Sequence, residues 1–260
     1  MIKIKIRHFT SLIFYRWLFD MRLAYRGSFL GVIWSLALPT FSALIYYFVF
    51  ETLFHNGDVE VFDFFVYVFL GVIVVGLFAN SLLIGLEVVS SNSNTLRSID
   101  LPLTLFHIVG LLTRWFNSFV ALAVLTLYGV FTRVDYGWSL LFGPVILFSV
   151  ALLALPASMV ICLLESSFKD TRFIVPQLTS LLIFLTPVFY LPSILPPALA
   201  NILLLNPLRP YLDFLRSIYG VQSEPVNLSL LFLWLSISIL ATVVIASWLE
   251  RRKSDIVFRV

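Results

Sequence analysis

The residues able to do chemistry in this chain are few and scattered. Glu51, Asp58, Glu60 and Asp63 fall within one short stretch. Carboxylates so grouped could activate a hydroxyl by general acid–base catalysis, although a solvated loop is the simpler reading. His8, His55 and His107 lie on different segments, and the single cysteine, Cys162, sits inside an apolar run. Neither a metal site nor an internal disulfide follows from such spacing. There is no GxxxxGK phosphate loop and no GxSxG nucleophile elbow. Catalysis and ATP hydrolysis within this polypeptide are therefore not expected, and no catalytic residue, metal ligand or cofactor is assigned to it.

Aromatic side chains are abundant instead: 26 Phe, 10 Tyr and 6 Trp. Trp and Tyr favour the headgroup level of a bilayer, which accounts for Trp138 and Trp248. Aromatic faces also stack against the C–H faces of sugar rings. Tyr46, Tyr47, Tyr67, Phe78, Phe116 and Tyr190 are the candidates to line an uncharged path of that kind.

The elements that must position these residues are membrane helices. Hydrophobic residues make up 60% of the 260, charged residues 12%, and mean hydropathy is +1.02. A soluble domain has about 45–50% apolar and about 25% charged residues. A spanning helix needs about 20 mostly apolar residues, and the gaps between charges supply six. The first lies near Leu30–Phe50 and the second near Phe64–Leu86. The third starts after Pro102 and has its core at Trp115–Phe131, with its cytoplasmic turns, carrying His107 and Arg114, near the interface. The fourth fits between Asp135 and Glu165, the fifth runs over Phe173–Tyr190, and the sixth lies between Glu224 and Glu250. Glu51, Glu87 and Glu165 fall at span ends, so no carboxylate is expected near midplane. That argues against an ion-coupled transporter.

Lysine and arginine stay on the cytoplasmic side. Lys3, Lys5, Arg7, Arg16, Arg22, Arg26, Arg97, Lys169, Arg172, Arg251, Arg252, Lys253 and Arg259 fall on one side of the six spans, and Arg133, Arg209 and Arg216 on the other. Both termini are thereby placed in the cytoplasm. The N-terminal segment does not read as a cleavable signal peptide. As a helix it puts Ile13, Phe14, Trp17, Met21 and Ala24 on one arc and Arg16, Arg22 and Arg26 opposite, the pattern of an interfacial helix. Leu191–Leu205 and Leu208–Tyr219 are too apolar for an open loop and are broken by Pro192, Pro196, Pro197, Pro207 and Pro210. They predict an external re-entrant helical hairpin. The expected fold is thus all-α and polytopic, one transmembrane domain over 1–260. An interfacial helix covers 1–28, five spans 30–190, the re-entrant segment 191–226, the sixth span 227–249 and a cytoplasmic tail 250–260.

The run Arg22-Leu-Ala-Tyr25-Arg26-Gly27-Ser28-Phe-Leu30-Gly31-Val-Ile-Trp34, with Pro39 after it, resembles the opening of the membrane subunits of ABC-2 type polysaccharide exporters. That family comprises O-antigen, capsule and teichoic acid export permeases. Phe168-Lys169-Asp170-Thr171-Arg172 is similar to the family's Phe–basic–Asp segment. Thr186-Pro187-Val188-Phe189-Tyr190, Leu195-Pro196 and Asn206-Pro207 follow in the family's order. The ordered set covers essentially the whole chain, and its nearest likeness is to O-antigen exporter channel subunits.

The resemblance implies a homodimeric channel in the cell inner membrane, driven by two copies of a separate ATPase that holds the ATP and magnesium. The substrate it implies is a lipid-linked polysaccharide; nucleic acid has no part. Arg22, Tyr25, Arg26 and Gly27 would lie at the substrate entrance. Arg97, Asp100, Leu101 and Pro102, within a loop Asn94–Pro102, would couple to the ATPase. Phe168, Lys169, Asp170 and Arg172 would begin a gating helix. For Asp170 and Arg172 a mutual or intersubunit ion pair is an equal reading. The alternatives are an ABC-2 permease for a drug or ordinary lipid, and a membrane-embedded transferase acting on lipid-linked sugars.

Overall fold

The computed structural model describes residues 6–24, eight of residues 33–48, and residues 61–131, 138–192, 196, 203, 205–221 and 225–258. All regular structure among the described residues is helical. The helices are α1 (Ile6–Ala24), α2 (Val61–Ser98), α3 (Leu103–Phe131), α4 (Gly143–Ser167), α5 (Thr171–Leu185), α6 (Arg209–Ile218), α7 (Leu228–Arg251) and α8 (Lys253–Phe258). A 3-10 turn, Trp138–Phe142, leads into α4. The first span expected near Leu30–Phe50 lies largely outside the described residues, as does the first arm of the expected hairpin. Among the described residues four helices are long and apolar enough to cross a membrane: Phe64–Ser98, Leu103–Leu127, Trp138–Ser167 and Leu228–Arg251.

α2 and α4 form the centre. Val68, Leu70 and Val74 of α2 and Leu147, Val150, Ala151 and Cys162 of α4 are fully buried. Their approach depends on Gly85. A Cβ there would lie 2.1 Å from the Ser158 carbonyl oxygen and 2.8 Å from Ile161 Cβ. Small residues at such a crossing let two membrane helices pack backbone to backbone.

Several boundaries differ from those expected. α2 has 38 residues, about 57 Å at 1.5 Å per residue, against a hydrocarbon core of about 30 Å. It runs past Glu87 to Ser98, so most of the expected loop Asn94–Pro102 is helix and only residues 99–102 are not. Its polar last turns are held by their own side chains: Asn92 Nδ2 donates to Val88 O at 2.9 Å and Ser98 Oγ to Asn94 O at 2.8 Å. α3 begins at Leu103, directly after Pro102, and its first turns carry His107 and Arg114. His107 is fully buried with Nδ1 3.1 Å from Leu103 O. Arg114 Nη2 donates to Glu87 Oε2 at 2.6 Å, across to α2. A charge that finds its partner on the next helix does not end the helix that carries it. α5 is shorter than expected, with 15 residues ending before Thr186. Thr186 precedes Pro187 and takes the extended backbone (ψ 140°) that a following proline favours.

α1 is helical where expected, but its inner face differs. Phe9, Ile13 and Trp17 pack on the core, while Phe14 is exposed. Arg16, expected on the outer side, turns inward. Its Nη2 donates to Asn92 Oδ1 at 2.7 Å, and its guanidinium lies 5.4 Å from the Phe106 ring centroid. The apolar residues Leu12, Phe14, Tyr15, Phe19 and Leu23 are left outward. A long arginine stem can cross apolar surface to reach a polar partner, which helical periodicity does not reveal.

α6 covers most of the Leu208–Tyr219 segment. Most of its residues are buried, from Pro210 to Ile218. Gly220, at φ 73°, reverses the chain after it, and Val221 N–H closes on Arg216 O at 3.1 Å. That is a left-handed cap of the kind glycine makes without strain.

Candidate functional site

Two polar clusters stand at opposite ends of the bundle. The first gathers the ends of five helices: the C-termini of α2, α4 and α7 and the N-termini of α3 and α5. Between α4 and α5 the chain turns in three residues. Phe168 is extended and exposed, and Phe173 N–H donates to Asp170 O at 2.9 Å to start α5. The anchor of this turn is Glu165, whose side chain is 1% exposed. It accepts from Arg172 Nε at 2.6 Å and from Lys169 Nζ at 3.4 Å. Within the chain Arg172 is thus paired with Glu165, not with Asp170. Asp170 is exposed at the N-cap of α5 and makes no side-chain cap there.

At the 99–102 loop, Arg97, Ile99 and Asp100 are exposed and Leu101 packs on the core. Lys253 Nζ of α8 donates to Asp100 Oδ1, and that bond, with the charge of Lys253, holds the Asp100 carboxyl below its ordinary range. Glu250, at the end of α7, accepts from Thr104 N–H at 2.8 Å. Arg22 lies exposed near the end of α1, while Tyr25, Arg26 and Gly27 fall outside the described residues. Among the described residues no His, Cys, Asp and Glu side chains group in a way that could hold a metal ion.

The second cluster is built on Arg216 of α6, which is fully buried. Its guanidinium lies over the Tyr67 ring, 3.2 Å from the centroid. It donates to Tyr67 O at 3.1 Å and to Val188 O at 3.3 Å. The Tyr67 hydroxyl donates onward to Tyr190 O at 3.0 Å and Pro187 O at 3.4 Å. Asn206 Nδ2 donates to Thr186 Oγ1 and to Leu185 O, both at 3.0 Å, and its Oδ1 accepts from Leu208 N–H at 2.9 Å. The Thr-Pro-x-x-Tyr and Asn-Pro elements therefore meet in space, tied to the start of α2 through Arg216.

The candidate path aromatics do not share one face among the described residues. Tyr67 is closed off inside the protomer by Arg216. Phe116 meets Trp17 edge to face at 5.7 Å, beneath α1. Phe78 packs on the core, and the Tyr190 hydroxyl donates to Phe184 O at 3.2 Å. Tyr46 and Tyr47 lie outside the described residues. Sequence reasoning used Glu165, Glu250, Lys253 and Arg216 only to place spans and sides, and gave none of them a part in a site. Glu165 had a legible signal, a lone carboxylate closing an apolar run with bases four and seven residues on. Arg216 had none, because its partners are backbone carbonyls.

A bundle of helices long and apolar enough to cross a bilayer defines an integral membrane protein. The chain belongs to the ABC-2 type transporter family, whose model matches residues 12–219. It is 26% identical over 231 residues to the O-antigen export system permease protein RfbA of Myxococcus xanthus, an alignment covering 85% of this chain and 87% of that protein. It is 22% identical over 204 residues to the O-antigen export system permease protein RfbA of Klebsiella pneumoniae, covering 77% and 76% of the two chains.

Proposed function

We propose that this chain is the channel-forming permease subunit of an ABC exporter that moves a lipid-linked, O-antigen-like polysaccharide across the cytoplasmic membrane. The observation that carries this reading is its alignment, over most of its length, with permeases whose names specify O-antigen export. Two copies form the channel and two copies of a separate ATPase, holding ATP and magnesium, drive it. Both termini are cytoplasmic, as the distribution of Lys and Arg requires. Residues 30–50 supply the first of six spans, and α5 with the turn after it supplies the fifth. Residues 191–219 form the external re-entrant element, held to α2 through Arg216.

Exposed Arg97, in the last turn of α2, and the exposed loop residues Ile99 and Asp100 receive the motion of the ATPase. Phe168–Arg172, braced by Glu165, opens and closes the cytoplasmic mouth. Arg22, with Arg26, offers guanidinium groups to the pyrophosphate of a lipid-linked sugar, a geometry arginine matches bidentately. Co-expression with the ATPase subunit of an O-antigen exporter, in a strain lacking its own O-antigen permease, tests the reading. Surface polymer that returns only with both subunits supports it. Drug resistance without surface polymer overturns it.

A further inference from the structure

The C-terminal segment is no free tail. Ile256 and Val257 of α8 are buried in the core, at 2% and 8% exposure, and Leu249 at the end of α7 is fully buried. α8 is thereby seated beside the end of α2, which brings Lys253 to Asp100. Three residues before α8, Glu250 reaches the N-terminus of α3. The first N–H groups of a helix have no partner within it, and Pro102, just before Leu103, has no side-chain acceptor to offer. The Glu250 carboxylate fills that place at Thr104 N–H, 2.8 Å away and 146 residues distant in sequence. An anion at a helix N-terminus also meets the positive end of the helix dipole.

We propose that residues 250–258 are the positioning element of the 99–102 loop, with Glu250 capping α3 and Lys253 orienting Asp100, so that a push on the loop moves α3 and α7 together. This rests on the proposed ATPase-driven function and concerns only how the loop is held. The Asp100 side chain is 97% exposed, so its ion pair adds little stability. Its effect is on direction: one carboxylate oxygen is held by Lys253 while the group still faces outward. The Glu250 cap is the stronger tie, because it joins a helix backbone to a side chain from another span.

The test uses the full chain in complex with its proposed ATPase subunit. Glu250→Ala leaves subunit association intact and lowers polymer export at a given ATP turnover about fivefold, the equilibrium equivalent of one lost helix cap. Glu250→Gln, which keeps an acceptor at the same reach, restores most of that loss. Lys253→Asp and Asp100→Lys each impair coupling, and the swapped pair recovers it. A second measurement does not depend on the strength of the pair. In the Asp100→Cys/Lys253→Cys double variant, a short bifunctional thiol reagent bridges the two positions, the single native thiol, Cys162, being buried. The bridged complex exports at least as well as the unbridged one. Wild-type coupling in Glu250→Ala, or export abolished by the bridge, overturns the positioning role while complex formation still stands. A wild-type chain that binds no ATPase overturns the functional reading itself.

Discussion

At the scale of single residues, the decisive groups are those whose partners are far away in sequence. Arg216 is the clearest. A buried cation is costly unless its charge and hydrogen-bonding capacity are met. Here a ring face and two carbonyls meet most of that need, and Nη1 is left without a hydrogen bond among the described residues. Arg216→Ala leaves Tyr67 O and Val188 O without these donors in a closed interior. It is expected to destabilise the protein by about 3 kcal/mol, the scale of lost hydrogen bonds to a charged group. Tyr67→Phe keeps the ring under the guanidinium and loses only the hydroxyl bonds, for about 1 kcal/mol. Thermal unfolding in detergent micelles checks both, and equal melting temperatures for Arg216→Ala and the parent would refute the assignment. Glu165 poses the complementary case, one buried carboxylate serving two partly exposed bases, so its removal strands less.

At the scale of elements, the packing of α2, α4 and α7 turns on two backbone details. At Gly85 the obstacle to a side chain is the Ser158 carbonyl, which cannot rotate away. Gly85→Ala is expected to push α2 off α4 at about 1–3 kcal/mol, the usual cost of overpacking. At Gly76 a Cβ would meet nothing within 4 Å, so Gly76→Ala is the control and should be tolerated. Yield of monodisperse protein in detergent separates the two. The other detail is Pro156 inside α4. Proline has no N–H, so it frees the carbonyl four residues earlier. That carbonyl is Leu152 O, and Ser238 Oγ of α7 donates to it at 2.7 Å. Ser238 is 4% exposed on a helix most of whose other residues are open. Ser238→Ala should loosen α7 by about 0.6–1.7 kcal/mol, the range measured for such bonds between membrane helices. Faster amide exchange in α7, with α2 unchanged, is the expected signature.

At the scale of the whole molecule, the polar ends and the apolar middle decide what the chain can be. α7 keeps Leu228, Phe232, Leu240 and Val243 open, and α5 keeps Phe173, Leu178, Leu181 and Phe184 open. Faces of this breadth have no place in water, and lipid or further protein must cover them. α1 is tied to Asn92 near the end of α2, and α8 to Asp100 just beyond it, so the two terminal helices share one end of the bundle. A cysteine at exposed Ser11 and one at exposed Ser254 should therefore be labelled from the same side of intact, sealed vesicles. Labelling from opposite sides would break the topology proposed.

Much of this was legible in the amino-acid sequence. Composition demanded a membrane, because too few polar groups exist to cover such a chain in water. Long stretches without charge marked the helices α2, α4 and α7, since desolvating a charge in lipid is costly whatever surrounds it. The ordered Tyr-Arg-x-Ser, Thr-Pro-x-x-Tyr and Asn-Pro elements pointed to the ABC-2 family to which the chain belongs. The tertiary structure alone decided where helices end and which polar residues meet. Arg114 is carried inside α3 because Glu87 neutralises it across a helix pair, Arg16 turned inward because Asn92 was there to receive it, and Tyr67 was closed off by an arginine 149 residues away. Local patterns record the cost of a residue in isolation. A partner brought by folding removes that cost, and no spacing along the chain announces it.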